Sequence, residues 1–428
     1  MIAHVLPSRL SGCVRAPVSK SDAHRKLIFA YLAGKPASVE VGEAGDDVER
    51  TCSCLSKLGV NVRREGALAF LEPALPGECP CLDAGESGST LRFLLPVVCS
   101  RFPRARFTGG ERLRKRPLLD LLNAMRENGV SFSADTLPLE TRGTLRLGIF
   151  RLPGNVSSQY VSGLLMALPG LNGDSEIRLN TPLESRAYVR MTLRAMRAFG
   201  LNARETPNGY FVPGNQRAVI PGDGFEIASE GDWSNAAFWL AAGALKPGNE
   251  ITVTGLFADS AQGDKEILNI LEAAGASVSV RKGLAEEESR VTVCAPSSPL
   301  PARADVSGIP DLASPLTALF AFAQGESELL NAARLRFKES DRLSGLAELV
   351  SSLGGRAFAG DDCLTVLGGG LDGGVFDACG DHRLAMAAVI AASASARGAS
   401  VVGAEAVNKS YPGFFRDFAR LGGRFTLE

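Results

Sequence analysis

The sequence predicts an α+β protein of two domains, each assembled from α/β repeat units grouped three and three. Three observations carry that expectation: a length of 428 residues, a set of helix-opening segments recurring at near-constant spacing, and a second set of glycine-terminated helices in phase with it.

Domains usually hold roughly 100–200 residues, so 428 residues, 45% of them apolar, exceed one simple core. Basic and acidic residues number 46 and 47, which leaves no broad charged surface for nucleic acid or a membrane. The opening MIAHVLPSRLSGCVRAPVSK has neither the apolar heart of a secretory leader nor an Arg/Ser-rich amphipathic pattern. No apolar run approaches the ~20 residues that span a bilayer. A cytoplasmic location is expected. Nine cysteines (Cys13, Cys52, Cys54, Cys79, Cys81, Cys99, Cys294, Cys363, Cys379) form no CxxC pair, and only His4, His24 and His382 could join them. Reduced, packed thiols are therefore expected, and no metal site.

Six segments open on small polar or charged residues and run into an apolar helix. They start at Ser19, Ser89, Ser157, Ser234, Asp311 and Asp381, at separations of 70, 68, 77, 77 and 70 residues. Six amphipathic helices end near Gly59, Gly129, Gly200, Gly275, Gly354 and Gly422, spaced 70, 71, 75, 79 and 68 apart. Glycine is the residue expected just past a helix end, where φ turns positive. Two phase-locked series give six units of about 70 residues with two helices each. Between the helices, ASVEVG, LAFLEP, GTLRLGIF, EITVTG and SRVTVCAP read as strands.

The first helix of each unit is apolar nearly all round and should be buried. Its polar N-terminus then faces any ligand, and free N–H groups there suit phosphate and carboxylate. Lys20, Arg25, Arg92 and Arg383 stand near these starts. Further cations recur in RLRKRPL (112–118), LESRAYVRM (183–191), KESDR (338–342), GDHR (380–383) and VNKSYPGFF (407–415). One such segment alone is an ordinary solvated turn, or a cap where Ser or Asp leads it. Together they suit substrates carrying several negative charges. Gly-rich LGGGLDGG (367–374) lacks the Lys and Ser/Thr of a phosphate loop, so a nucleotide cofactor is not indicated.

For KESDR a geometric expectation is available. Leu343, Leu346, Val350 and Leu353 form one helical stripe; extended backwards, it places Glu339 inward, Arg342 near its edge and Asp341 toward solvent. An inward carboxylate at a helix start has to be paired, hydrogen-bonded or functional.

The ordered set SKSxxxR, GxSGSTLR, LRKRP, SSQ, SRAY, IPD, KESDR, DHR and KSYP runs the length of the chain. In that set the chain resembles the 5-enolpyruvylshikimate-3-phosphate synthases of the enolpyruvyl transferase family. The resemblance implies six βαβαββ units with buried helices, three in each of two pseudo-threefold domains of inside-out α/β barrel form. Residues 19–228 would make one domain and residues 1–18 with 229–428 the other. It also implies a reaction without metal or organic cofactor. The 5-hydroxyl of shikimate 3-phosphate attacks C2 of phosphoenolpyruvate, the methylene carbon is protonated, and the tetrahedral adduct loses phosphate.

By the same resemblance, Lys20, Ser21 and Arg25 hold shikimate 3-phosphate, with Lys20 also reaching phosphoenolpyruvate. Ser157, Ser158 and Ser185 bind its phosphate, and Gln159 lies between the two ligands. Arg116, Arg342, Arg383 and Lys409 clamp phosphoenolpyruvate beside the backbone of Gly88. Asp311 accepts the hydroxyl proton, Glu339 protonates the methylene, and Lys338 binds the ring and shares the proton traffic. Domain closure over the substrates and a monomeric form are further expectations.

Two positions depart from the family pattern: Glu86 and Arg334 stand where Asn is common. Glu86 is expected to turn away from the anions or to pair with a cation, and Arg334 to contact substrate or face solvent. The alternative activity is that of the related UDP-N-acetylglucosamine enolpyruvyl transferase, which typically uses a loop Cys. The corresponding GGERLRKRPLL has none, which argues against it; a non-catalytic anion-binding relative is the other alternative.

Overall fold

The computed structural model describes residues 1–43, 45–222, 225–283 and 288–428. The chain forms two compact units, Val18–Ser229 and Met1–Pro17 with Glu230–Glu428.

Both units repeat one motif three times, and the middle motif of the first unit shows its logic. Strand Cys81–Asp83 leads through helix Gly88–Cys99 to the parallel strand Arg104–Thr108. Helix Leu119–Arg126 follows, then Ser131–Phe132 and Leu139–Arg142, both antiparallel, with the last strand inserted between its predecessor and Arg104–Thr108. The order is βαβαββ on a four-stranded sheet. Among the described residues all six sheets have four strands in this arrangement, as the resemblance implied.

Three motifs are completed from afar. Glu226–Ile227 supplies the edge strand beside Ala37–Glu40, Ser11–Arg15 the edge strand beside Glu250–Phe257, and Ile2–Leu6 lies between Ala399–Val402 and Arg424–Leu427.

The inner helices are Lys20–Ala33, Gly88–Cys99 and Ser158–Ala167 in one unit, and Trp233–Leu245, Ala313–Phe320 and His382–Ala394 in the other. Every residue of Trp233–Leu245 is buried. Apolar side chains on all sides leave such a helix no solvated face, so it becomes the middle of the core with the sheets outside it. Each unit has its own continuous core. In the second, Trp239 stacks on Phe414 at 4.7 Å, tying an inner helix to the outer helix Phe414–Arg420. Truncating a buried tryptophan of this kind to Ala costs about 3–5 kcal/mol. All six glycines expected at the outer-helix ends have positive φ, from 73° at Gly200 to 97° at Gly129.

Local expectations needed correction. The second inner helix is capped by Ser87, not begun at Ser89, and the fourth by Asp232. Asp311 is not the cap of the fifth, Ala313–Phe320; it lies in the 3-10 turn Pro310–Leu312 that precedes that helix. Of GTLRLGIF only the end enters a strand, Ile149–Leu152, because Gly143 and Gly148 take positive φ around an irregular stretch. The backward extension of the KESDR helix fails: it begins at Arg342, and Asp341 caps it by accepting from Ser344 N at 3.1 Å.

Candidate active site

In the unit Val18–Ser229 the expected substrate residues cluster at inner-helix N-termini. Ser19 caps the first inner helix, and Lys20 follows with Nζ 2.9 Å from Asp47 Oδ2. Asp47 belongs to the outer helix Asp46–Ser56, and its carbonyl accepts from Thr90 Oγ1. Thr90 continues to Thr51 and His24 at 2.7 Å each step. Burial pulls the His24 imidazole down to about 3, so it is neutral and serves this hydrogen-bond chain.

Arg25 is buried, with Nε donating to Thr192 Oγ1 and Nη2 to Tyr188 O at 2.8 Å each, and Nη1 to Ser21 O. It thereby ties Ser21 to the outer helix Arg186–Ala198. Ser185, which precedes that helix, is held at φ 51°, a strained conformation for a residue with a Cβ.

Ser157 caps the third inner helix and Ser158 begins it. Gln159 is fixed on both sides: Oε1 accepts from Arg92 Nη1 at 2.8 Å and Nε2 donates to Ser89 Oγ at 2.9 Å. Arg92 also donates to Pro117 O. Gly88 opens the second inner helix against two guanidiniums; a Cβ there would stand 2.9 Å from Arg116 Nη1 and 3.1 Å from Arg92 Nη1.

In the other unit, Arg342 gathers three acids. Nε and Nη2 bind Asp381 at 2.9 and 3.1 Å, Nη2 meets Glu339 Oε2 at 2.6 Å, and Nη1 meets Asp311 Oδ1 at 3.3 Å. The Arg342 and Asp381 side chains are 1% and 0% exposed, so their charges are tolerable only as a pair. Asp311 Oδ2 accepts from Arg383 Nη2 at 2.9 Å, and Lys409 Nζ lies 3.6 Å from Glu339 Oε1.

Burial works to raise the Asp311 pKa, but Arg383, Lys338 and Arg342 outweigh it and hold the carboxyl far below its usual range. Burial pulls the Lys338 ammonium down to about 8; Asp311 opposes this, while Arg334 and Arg342 add to it. Arg334 thus acts electrostatically on Lys338. Glu86, the other departure, gives its carboxylate to backbone N–H groups: Oε2 accepts from Leu113 N at 2.8 Å and Oε1 from Arg112 N at 3.4 Å.

The expected residues divide between the two units. Lys20, Ser21, Arg25, Gly88, Arg116, Ser157, Ser158, Gln159 and Ser185 lie in one; Asp311, Lys338, Glu339, Arg342, Arg383 and Lys409 lie in the other. Sequence reasoning missed Asp47 and Asp381 as counter-charges. Asp381 carried a signal, since an acid stands directly before the quoted HR, while Asp47 lies in a polar helix start like many others. Among the described residues no trio of His, Cys, Asp or Glu is grouped to hold a metal, and no helix is long and apolar enough to cross a membrane.

A family model described as EPSP synthase (3-phosphoshikimate 1-carboxyvinyltransferase) matches residues 6–418. A 3-phosphoshikimate 1-carboxyvinyltransferase of Clostridium kluyveri is 37% identical over 423 residues, covering 97% of this chain and 96% of its own. One from Brachyspira hyodysenteriae is 36% identical, with 99% of both chains covered. Among solved structures, an EPSP synthase from Acinetobacter baumannii superposes with a TM-score of 0.81 at 23% identity, covering 100% of both chains. The enolpyruvyl transferase NikO from Streptomyces tendae follows at 0.77 and 18%, covering 99% of this chain and 98% of its own. These two superpositions bear on the fold.

Proposed function

The chain belongs to the EPSP synthase family, and we infer from that membership that it carries out the family's reaction. It transfers the enolpyruvyl group of phosphoenolpyruvate to the 5-hydroxyl of shikimate 3-phosphate and releases phosphate. This is the sixth step of the shikimate pathway, toward chorismate and the aromatic amino acids. Relatives of that name at 37% identity over nearly the whole chain support it.

The site roles are our proposal, and the observation that carries them is the cluster of Asp311, Glu339, Arg342, Arg383 and Lys409. Two substrates bring two phosphates and two carboxylates together, so cations have to offset their repulsion before the reacting atoms meet. Lys20, Ser21, Arg25, Ser157, Ser158 and Ser185 hold shikimate 3-phosphate. Arg116, Arg342, Arg383 and Lys409 hold phosphoenolpyruvate beside Gly88, and Lys20 and Gln159 serve both. The planar fork of Arg342 is suited to a carboxylate.

Asp311 takes the proton of the 5-hydroxyl as its oxygen bonds to C2, and Glu339 delivers a proton to the methylene carbon. In the second step the bond from C2 to the phosphate oxygen breaks, the departing phosphate takes up the proton that left the 5-hydroxyl so that Asp311 is again a carboxylate, and the methyl group returns one proton to the Glu339 carboxylate as the double bond re-forms. For Glu339 to give up its proton, the bond from Arg342 has to pass to the substrate carboxylate. Lys338, held near 8, can share the proton on Asp311. A cytoplasmic location and a monomeric working form belong to the same reading.

The test is phosphate release from phosphoenolpyruvate by the purified protein. It is expected only with shikimate 3-phosphate present, and not with UDP-N-acetylglucosamine. Release with the nucleotide sugar instead would overturn the assignment.

A further inference from the structure

The segment that carries Arg116 is pinned at both ends. At its far end Pro117 O accepts from Arg92 Nη2 at 2.8 Å and from Tyr160 OH at 2.6 Å. At its near end stands Glu86, whose two carboxylate oxygens accept from the backbone N–H groups of Arg112 and Leu113. These groups begin the single turn Glu111–Arg114, where N–H groups lack partners within the turn. Two residues beyond Glu86 in the chain is Gly88, against which the Arg116 guanidinium lies. One short stretch, Glu86 to Gly88, therefore provides both a surface for the Arg116 head group and a tether for its backbone.

The tether needs a glycine opposite it. A Cβ on Gly110 would stand 2.1 Å from Glu86 Oε1 and 2.6 Å from its Cδ. Gly110 sits at φ −71° and ψ 170°, a conformation open to any residue, so its lack of a side chain is not a backbone requirement. The space is taken by the Glu86 carboxylate. Gly110 N also donates to Gly85 O at 2.8 Å, which fixes the two backbones at that distance.

We propose that Glu86, seated against Gly110, is a positioning residue for phosphoenolpyruvate: it sets the Arg112–Pro117 segment so that Arg116 presents its guanidinium beside Gly88. The carboxylate acts through the backbone of that segment. Both of its oxygens accept from backbone N–H groups there. The proposal rests on the assignment of Arg116 to phosphoenolpyruvate.

The experiment compares wild type, Glu86→Ala, Glu86→Gln, Gly110→Ala and the double variant Glu86→Ala/Gly110→Ala. The readouts are kcat, KM for each substrate and thermal midpoint. Both Ala variants are expected to raise KM for phosphoenolpyruvate about tenfold, with kcat and KM for shikimate 3-phosphate within about twofold, the pattern of lost uniform binding. Glu86→Gln keeps an acceptor oxygen and should fall between wild type and Glu86→Ala. Gly110→Ala acts by expelling the carboxylate, so in the Glu86→Ala background it should add less than about twofold.

The proposal is overturned if KM for phosphoenolpyruvate stays within twofold of wild type in both Ala variants. It is equally overturned if the two substitutions add fully, or if the thermal midpoint falls while both KM values hold. Wild-type turnover separately tests the proposed reaction. Should wild type fail to turn over, phosphoenolpyruvate affinity by calorimetry across the same variants still decides the positioning role.

Discussion

Arg342 and Asp381 form a two-bonded ion pair, Nε to Oδ2 at 2.9 Å and Nη2 to Oδ1 at 3.1 Å, between the start of an outer helix and the cap of an inner one. The pair sets the plane of the guanidinium, and that plane decides how its remaining N–H groups meet Asp311 and Glu339. Asp381→Asn keeps a capping oxygen but leaves a buried guanidinium short of a charge. Loss of one partner of such a pair costs about 3–5 kcal/mol, so chemical denaturation should show destabilisation of that order. The KM for phosphoenolpyruvate should rise as well. Stability within 1 kcal/mol of wild type would refute the importance given to the pair, on that scale of about 3–5 kcal/mol.

Glu339→Gln tests the proton donor. The amide preserves a hydrogen-bond acceptor for Arg342 but has no acidic proton. Binding of both substrates should persist, with kcat reduced by about 100-fold or more. Single-turnover phosphate release checks it, and near-normal turnover would remove Glu339 from the chemistry.

Arg334 depresses the Lys338 pKa, so Arg334→Asn should raise it. Without the neighbouring cation the ammonium form is favoured, and any activity limb that needs Lys338 protonated moves to higher pH. Wild-type kcat should begin to fall near pH 8, and the variant's fall should lie about half a unit higher. A pH–rate profile reads the shift; movement to lower pH would contradict the placement of Arg334.

Asp264 offers a stability test. Burial, and next Asp311, push its carboxyl up to about 7. Its Oδ2 accepts from Ser234, and its Oδ1 meets no hydrogen-bond donor. A carboxyl with a raised folded-state pKa contributes stability that is full below the unfolded value near 4 and is lost as pH rises through about 7. Asp264→Asn lacks this titration. Relative to wild type, the variant should therefore gain on the order of 2 kcal/mol between pH 5 and pH 8. Denaturation at both values measures it, and a difference independent of pH would show that Asp264 does not carry the proton.

Gly88→Ala is compatible with a helix start but not with the two guanidiniums beside it. The methyl group should displace Arg116 and raise KM for phosphoenolpyruvate by about tenfold or more, while KM for shikimate 3-phosphate and the thermal midpoint change little. Steady-state kinetics with each substrate varied in turn would show it.

The repeat was legible in the sequence because its signals are local. An all-apolar run such as WSNAAFWLAAGAL admits only burial, and a glycine closing an amphipathic run admits only a helix end. The site was legible as motifs but not as pairs. Lys20 finds Asp47 27 residues away and Arg342 finds Asp381 39 residues away; no periodicity reaches across a sheet crossover. The KESDR stripe pointed correctly to buried Leu343, Leu346, Val350 and Leu353. It overran the helix start because the capping signal of Asp341, with Ser344 three residues on, went unused. Nothing in the local sequence marked Glu86 as a backbone acceptor, since that role depends on the space left at Gly110.

The strand Ile2–Leu6 has both its neighbours, Ala399–Val402 and Arg424–Leu427, at the opposite end of the chain. On the ribosome, then, this strand is made long before either of its partners. The Val18–Ser229 unit is contiguous and can close once Glu226–Ile227 has emerged. In the remaining unit Ser11–Arg15 can pair once Glu250–Phe257 has emerged, but Ile2–Leu6 waits for Ala399–Val402 and Arg424–Leu427, which puts a slow, long-range closure at the end of folding. Nascent chains stalled before residue 399 should accordingly contain a protease-resistant Val18–Ser229 body and a strand Ile2–Leu6 that is still open to cleavage.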